Sequence, residues 1–163
     1  MLTEMTAWPS GRFSFDKGCR NLLKVVFLTE KFYKRYEKCT EIEQKDYRPY
    51  IRIKVVINGV VWAVPLRSNI NHEFVIWTDK NNNCGIDVTK AVVIENPTQY
   101  ISSTQPHIRP NEFKVLKQID EYQVVQKLQQ YIKKYKKAKE HPDIPRNKQL
   151  LKCSTLQYFE KYI

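Results

Sequence analysis

Apolar and polar residues alternate most regularly between residues 50 and 57. There Ile51, Ile53, Val55 and Ile57 fall on one face and Arg52, Lys54 and Val56 on the other. Period-2 alternation is the mark of a half-buried strand. Asn58-Gly59 follows, a pair that favours the positive backbone angles of a type I′ turn, and a second apolar run begins at Val60. A two-residue turn sets the register. It predicts pairing of Ile57 with Val60, Val55 with Trp62, Ile53 with Val64, Val56 with Val61, Lys54 with Ala63 and Arg52 with Pro65. One further step places Arg67 opposite Tyr50, so that Tyr50, Arg52, Lys54 and Arg67 share one side at the loop end of the hairpin. Shorter strands are predicted at residues 22–28, 74–77 and 91–94, the last stopped by Asn96-Pro97, with residues 79–85 a polar turn. Thr29 is placed to cap a helix carrying Phe32, Tyr33 and Tyr36, and residues 41–48 read as a charged connection ending before Pro49.

The period changes beyond Pro110. Phe113, Leu116, Ile119, Tyr122, Val125, Leu128, Ile132 and Tyr135 recur every three or four residues, which predicts an amphipathic helix with a break near Tyr122. His141 to Pro145 ends it. A short helix can follow, and Ser154 can cap a last one over residues 155–162. Strands first and helices after give an α+β class. So many short strands imply a compact, highly bent, barrel-like antiparallel β-sheet surrounded by α-helices. Residues 1–21 have no clear period and are expected to form a disordered leader. Residues 22–163 are expected to form a single domain.

Charge narrows the choice of partner. Lys and Arg number 28 against 17 Asp and Glu, a formal net charge of +11 in 163 residues. Such an excess favours polyanions and makes their binding salt-sensitive. Ten Tyr, seven Phe and three Trp supply surfaces on which bases can stack, although most must serve the core. Cys19, Cys39, Cys84 and Cys153 are widely separated, with no CxxC pair, which argues against a zinc module. No apolar run approaches membrane length. A cytoplasmic protein with free thiols is the expectation.

The loop after the second hairpin strand gathers the chemistry. Arg67, Ser68, Asn69, Asn71 and His72 put a guanidinium, a hydroxyl, two amides and an imidazole within six residues. His72 is the side chain there whose type titrates nearest neutrality, which makes it a candidate acid or base; on the loop alone, a turn histidine bonded to backbone is the favoured reading. Ser68 can donate to a phosphoryl oxygen or cap the loop. Arg67 suits bidentate phosphate contact or a salt bridge to Glu73 or Asp79. A lysine crowded by cations can serve in proton transfer, which makes Lys90 a candidate; an exposed strand-edge lysine is the plainer alternative. Thr78 and Asp87 are placed to orient neighbours. Tyr50, Arg52, Lys54 and Asn69 are candidates for tracking an RNA backbone. Tyr33, Lys34, Lys133, Lys134, Lys136 and Lys137 are broader RNA-surface candidates, with a core ring and a solvated helix end as the competing readings.

VPLRSNINH (residues 64–72), GIDVTKAVVI (residues 85–94) and the ending CSTLQYFEKY (residues 153–162) resemble the toxins of type III toxin–antitoxin systems, the ToxN/AbiQ group. The PLRSN-x-x-H wording is closest to the CptN/TenpN branch, and the similarity runs in element order from about Val25 to Tyr162. The resemblance implies a metal-independent endoribonuclease without cofactors, sequence-specific toward mRNA and toward its own repeat antitoxin RNA. Its products would carry 2′,3′-cyclic phosphate and 5′-hydroxyl ends. Its inhibitor would be an RNA pseudoknot bound in a closed toxin–RNA hetero-oligomer, in a bacterial cytoplasm, with a role in phage resistance by abortive infection. The Thr-Ser-x-Lys of ToxN-type members is here Arg67-Ser68-Asn69-Ile70, so the work of the family lysine would pass to His72 or Lys90. A non-catalytic basic RNA-binding module is the alternative. A metal-dependent nuclease lacks clustered carboxylates in the sequence, and a DNA-binding protein lacks a helix-turn-helix or zinc pattern.

Overall fold

A computed structural model describes residues 22–43 and 51–163. The leader expected over residues 1–21, and Tyr50, lie outside the described residues. The chain folds as α+β. Its strands are β1 (Lys24–Val26), β2 (Arg52–Ile57), β3 (Val60–Arg67), β4 (Val75–Asp79), β5 (Cys84–Asp87) and β6 (Val92–Val93), and its helices are α1 (Glu30–Arg35), α2 (Pro97–Tyr100), α3 (Pro110–Leu116), α4 (Glu121–Glu140) and α5 (Pro145–Cys153). The six strands are all antiparallel, in the order β1-β2-β3-β5-β4, with β6 also on β3. Among the described residues the path is open, with β1 and β4 at its ends. The sheet is neither closed nor strongly curled, which corrects the barrel-like expectation.

The β2–β3 hairpin has the predicted register at all six pairs. Asn58 and Gly59 take φ of 50° and 79°, as a type I′ turn requires. Ile53, Val55, Trp62 and Val64 are all buried. Against this face pack Val124, Leu128, Tyr131 and Tyr135 of α4, with Phe32 and Phe159 completing the same core. Three features bend the chain away from the simplest reading. Asp120 and Gln123 form a capping box that starts α4, so the long helical period divides at residues 117–120, just before Tyr122. Residues 84–87, the first two of which fall in the predicted polar turn, form β5. Gly85 permits it, because a Cβ there would lie 2.5 Å from the Ile76 carbonyl oxygen on β4. The C-terminal residues form two short 3₁₀ turns, Thr155–Tyr158 and Glu160–Tyr162, in place of one helix.

One interruption of the sheet positions the site. β5 and β6 lie along the same edge of β3, opposite β2. Ile86 pairs with Leu66 and Val92 with Ala63, so Asp87, Val88, Thr89, Lys90 and Ala91 stand opposite only Val64 and Pro65. The surplus forms a 3₁₀ turn, Val88–Lys90. Leu66 donates its N–H to Ile51 on the β2 side, so position 65 faces the interrupted edge. Proline has no N–H to leave unpaired there.

Candidate active site

The last turn of β3 delivers Arg67, and the chain then reverses through Asn69, which holds φ of 58°. Ile70 is buried and donates its N–H to the Asn83 carbonyl, anchoring the loop from below. His72 is carried back toward β5, and Phe74 rests on Tyr131 of α4 with ring centroids 5.0 Å apart. From the other side, the 3₁₀ turn presents Thr89 and Lys90. It is held by Thr155, whose hydroxyl hydrogen is shared between the Thr89 and Ala91 carbonyls. The CST sequence after α5 therefore braces the segment that carries Lys90.

Asp87 is the hub. It has no exposed surface. Its Oδ2 accepts from Arg67 Nη1 at 2.6 Å, and its Oδ1 accepts from the Thr89 N–H at 2.9 Å and the Thr89 hydroxyl at 2.6 Å. His72 Nε2 lies 3.4 Å from the same Oδ1. Burial pushes the Asp87 carboxyl up, but the hydrogen bonds from His72, Thr89 and Arg67 together outweigh it and hold the group below the ordinary carboxylate range. With Nε2 facing the carboxylate, His72 Nδ1 is buried and has no partner among the described residues. The two cations are also bound by acids from the segment after α1. Arg67 Nη2 donates to Glu43 at 2.6 Å, and Lys90 Nζ donates to Glu41 at 2.6 Å and to the Cys153 carbonyl at 2.6 Å. The guanidinium is itself partly buried, and the two carboxylate hydrogen bonds hold it more basic than an ordinary arginine despite that burial.

Arg67, His72, Thr89 and Lys90 line one cavity of about 600 Å³. Its walls are Ile70, Phe74, Tyr131 and Leu150, and its rim carries Asn69, Asn71, Gln149, Glu73, Arg146 and Cys153. Three of the four catalytic candidates thus meet in one hollow. Ser68 is exposed and is not among its lining residues. Arg67 pairs with Asp87 and Glu43 rather than with Glu73 or Asp79. Lys90 donates to a carboxylate and a carbonyl, and it shares a small pocket with Arg52 and Arg67, whose charges are offset there by Glu41 and Glu43.

The broader RNA candidates scatter. Arg52 does share a face with Lys54, but it is only 2% exposed, because Glu41, Ile42 and Glu43 cover that end of the hairpin. This corrects its placement on an open backbone-tracking face. Lys54 remains half-buried on β2, paired with Lys24 and Ala63. Thr78 sits at the β4 bulge, where the register with β5 shifts, and is not among the cavity's lining residues. Tyr33 is half-buried on α1, edge-on to Phe32, and Lys34 is exposed beside it. On α4, Lys133, Lys136 and Lys137 are exposed, while Lys134 reaches Glu73 at 3.4 Å and lies over the Phe74 ring. Sequence reading passed over Tyr131, Gln149, Thr89, Glu41 and Glu43. Only the Asp-Val-Thr spacing, an aspartate two residues before a hydroxyl at a strand end, offered a local signal for Thr89.

Among the described residues no group of three or more His, Cys, Asp and Glu side chains could hold a metal ion, and no helix is long and apolar enough to cross a membrane. No protein-family model, curated protein or solved structure matches this chain.

Proposed function

We propose that this protein is an endoribonuclease that cleaves RNA by transesterification, acting as the toxin of a type III toxin–antitoxin pair in a bacterial cytoplasm. One observation carries the reading: an imidazole and cationic side chains line a single hollow, and a buried aspartate ties the imidazole to one of them, Arg67. In such a reaction the ribose 2′-oxygen gives up its proton and attacks the adjacent phosphorus. The P–O5′ bond breaks, and the leaving oxygen takes a proton. The products are a 2′,3′-cyclic phosphate and a 5′-hydroxyl. RNA supplies the nucleophile, so the protein need only move protons and stabilise charge.

His72 is assigned the proton transfers, with Asp87 holding the ring in place through Nε2. Lys90 spends two ammonium hydrogens on Glu41 and Cys153, which leaves its third for a phosphoryl oxygen. Arg67 likewise has N–H groups beyond the two that face Asp87 and Glu43. Ile70, buried in the cavity wall, stands at the position of the family lysine and cannot do its work. No step is assigned to Ser68. Substrate mRNA and a folded antitoxin RNA are the partners this reading names.

The test is incubation of the purified protein with single-stranded RNA in excess chelator, with end analysis of the products. Cleavage to the stated ends is expected, and His72→Ala should slow it by roughly 10²–10⁴-fold while the protein stays folded. Intact RNA, bound tightly and in a salt-sensitive way, would replace this proposal with the non-catalytic RNA-binding module.

A further inference from the structure

Arg67 and Lys90, two of the cations that line the hollow, are already occupied by anions of the protein's own making. Glu43 lies 2.6 Å from Arg67 and Glu41 lies 2.6 Å from Lys90. The two acids are one residue apart in sequence, with Ile42 between them. Ile42 is buried in the core and donates its N–H to the Cys39 carbonyl. A buried central residue flanked by two outward acids makes a clasp, anchored at Ile42, that sets one carboxylate on each cation. Counting Asp87, three carboxylates meet Arg67, Lys90 and the buried Arg52 beside them, so acids and bases balance around the pair.

The three acids are not equivalent. Asp87 is fully buried and four-fold engaged, by Arg67, His72 and both donors of Thr89, which fits a permanent brace. The side chains of Glu41 and Glu43 retain 25% and 36% of their exposure, on flexible stems that can turn outward while Ile42 stays seated. Ion pairs that water can reach are weaker than fully buried ones. A phosphate can therefore compete for their cations.

We infer that Arg67 and Lys90 form a two-point binding site for phosphates of an RNA backbone, and that Glu41 and Glu43 occupy it as an internal competitor until RNA displaces them. The inference rests on the proposed ribonuclease reading for the identity of the polyanion, and it adds the phosphate subsite and its competitor.

The test uses the full chain and a pool of random-sequence 2′-O-methyl RNA 12-mers, which lack the attacking hydroxyl and so report binding alone. E41Q/E43Q should bind this pool about tenfold more tightly than the parent at equal salt. Neutralising two exposed acids elsewhere, in E37Q/E140Q, should change affinity less than twofold. In a K90M background E41Q should bring no gain, which marks direct coupling between the two side chains. An equal gain in the E37Q/E140Q control, or a gain that survives K90M, would reduce the effect to overall charge and overturn the inference. So would an unchanged or weaker affinity in E41Q/E43Q. Should that variant not fold, side-chain carboxyl resonances of Glu41 and Glu43 in the ¹³C-labelled parent serve instead. They should move to those of solvated glutamate as RNA saturates, and fixed resonances would sink the idea. Failure to cut unmodified RNA, together with these binding results, would refute the ribonuclease and leave the phosphate subsite standing.

Discussion

At the scale of single residues, the arrangement turns on Asp87. A buried carboxylate is costly unless it is paired and hydrogen-bonded, and here four donors from three residues satisfy it. Asp87→Asn should leave Arg67 with Glu43 alone and free the His72 ring, costing about 2–3 kcal/mol by denaturant unfolding and lowering any cleavage rate with it. The pH dependence has a definite sign. Because the folded carboxyl titrates below its ordinary value of about 3.9, its contribution is complete above that value and is lost as pH falls further through the depressed folded value. Melting temperature measured against pH should fall more steeply below about 4 for the parent than for the Asn variant. Parallel acid limbs would mean that Asp87 is not the coupled group. Arg52 teaches the same lesson from the opposite direction. Its face was set correctly by the register, yet burial under residues 41–43 removes it from any backbone-tracking surface.

At the scale of elements, two local devices hold the site. The Asp120–Gln123 capping box fixes where α4 begins, and so how Tyr131 meets Phe74 at the cavity wall. Asp120→Ala should lower stability by about 1 kcal/mol without altering RNA affinity, as read by chemical denaturation beside a binding titration. A loss of affinity would mean that the helix start also sets the cavity. The second device is the 3₁₀ turn Val88–Lys90, inserted where β5 passes to β6. It faces Pro65 across the interrupted ladder and is pinned by Thr155. Strand, proline and C-terminal turn are far apart in sequence, and their coincidence is what aims Lys90.

At the scale of the whole molecule, charge is unevenly used. The net +11 suggests a basic binding hollow, but the cations of the hollow are paired. Exposed positive charge lies on α4, at Lys133, Lys136 and Lys137. Lys134, which turns to Glu73 and Phe74, links that helix to the rim. K133E/K136E/K137E should weaken binding of a structured RNA and reduce the slope of log affinity against log salt by about 2. An unchanged slope would return these lysines to the role of a solvated helix end, where they complement the helix dipole.

What could be read from the chain alone was local. The Asn-Gly turn and period-2 alternation determined the hairpin register down to each pair, and the 3.6 period determined the helical second half, because both follow from backbone geometry within a few residues. The loop chemistry of Arg67 and His72 was visible for the same reason. Tertiary structure alone decided that the sheet stays open, that Arg52 is covered, that Ser68 lies away from the cavity that Lys90 lines, and that Glu41 and Glu43 close on the cations. Each of those outcomes joins segments too far apart in sequence for a local repeat to connect them. No periodicity spans that distance; packing of Ile42, Pro65 and Thr155 brings the segments together, and only then do charges that look free in sequence find their partners.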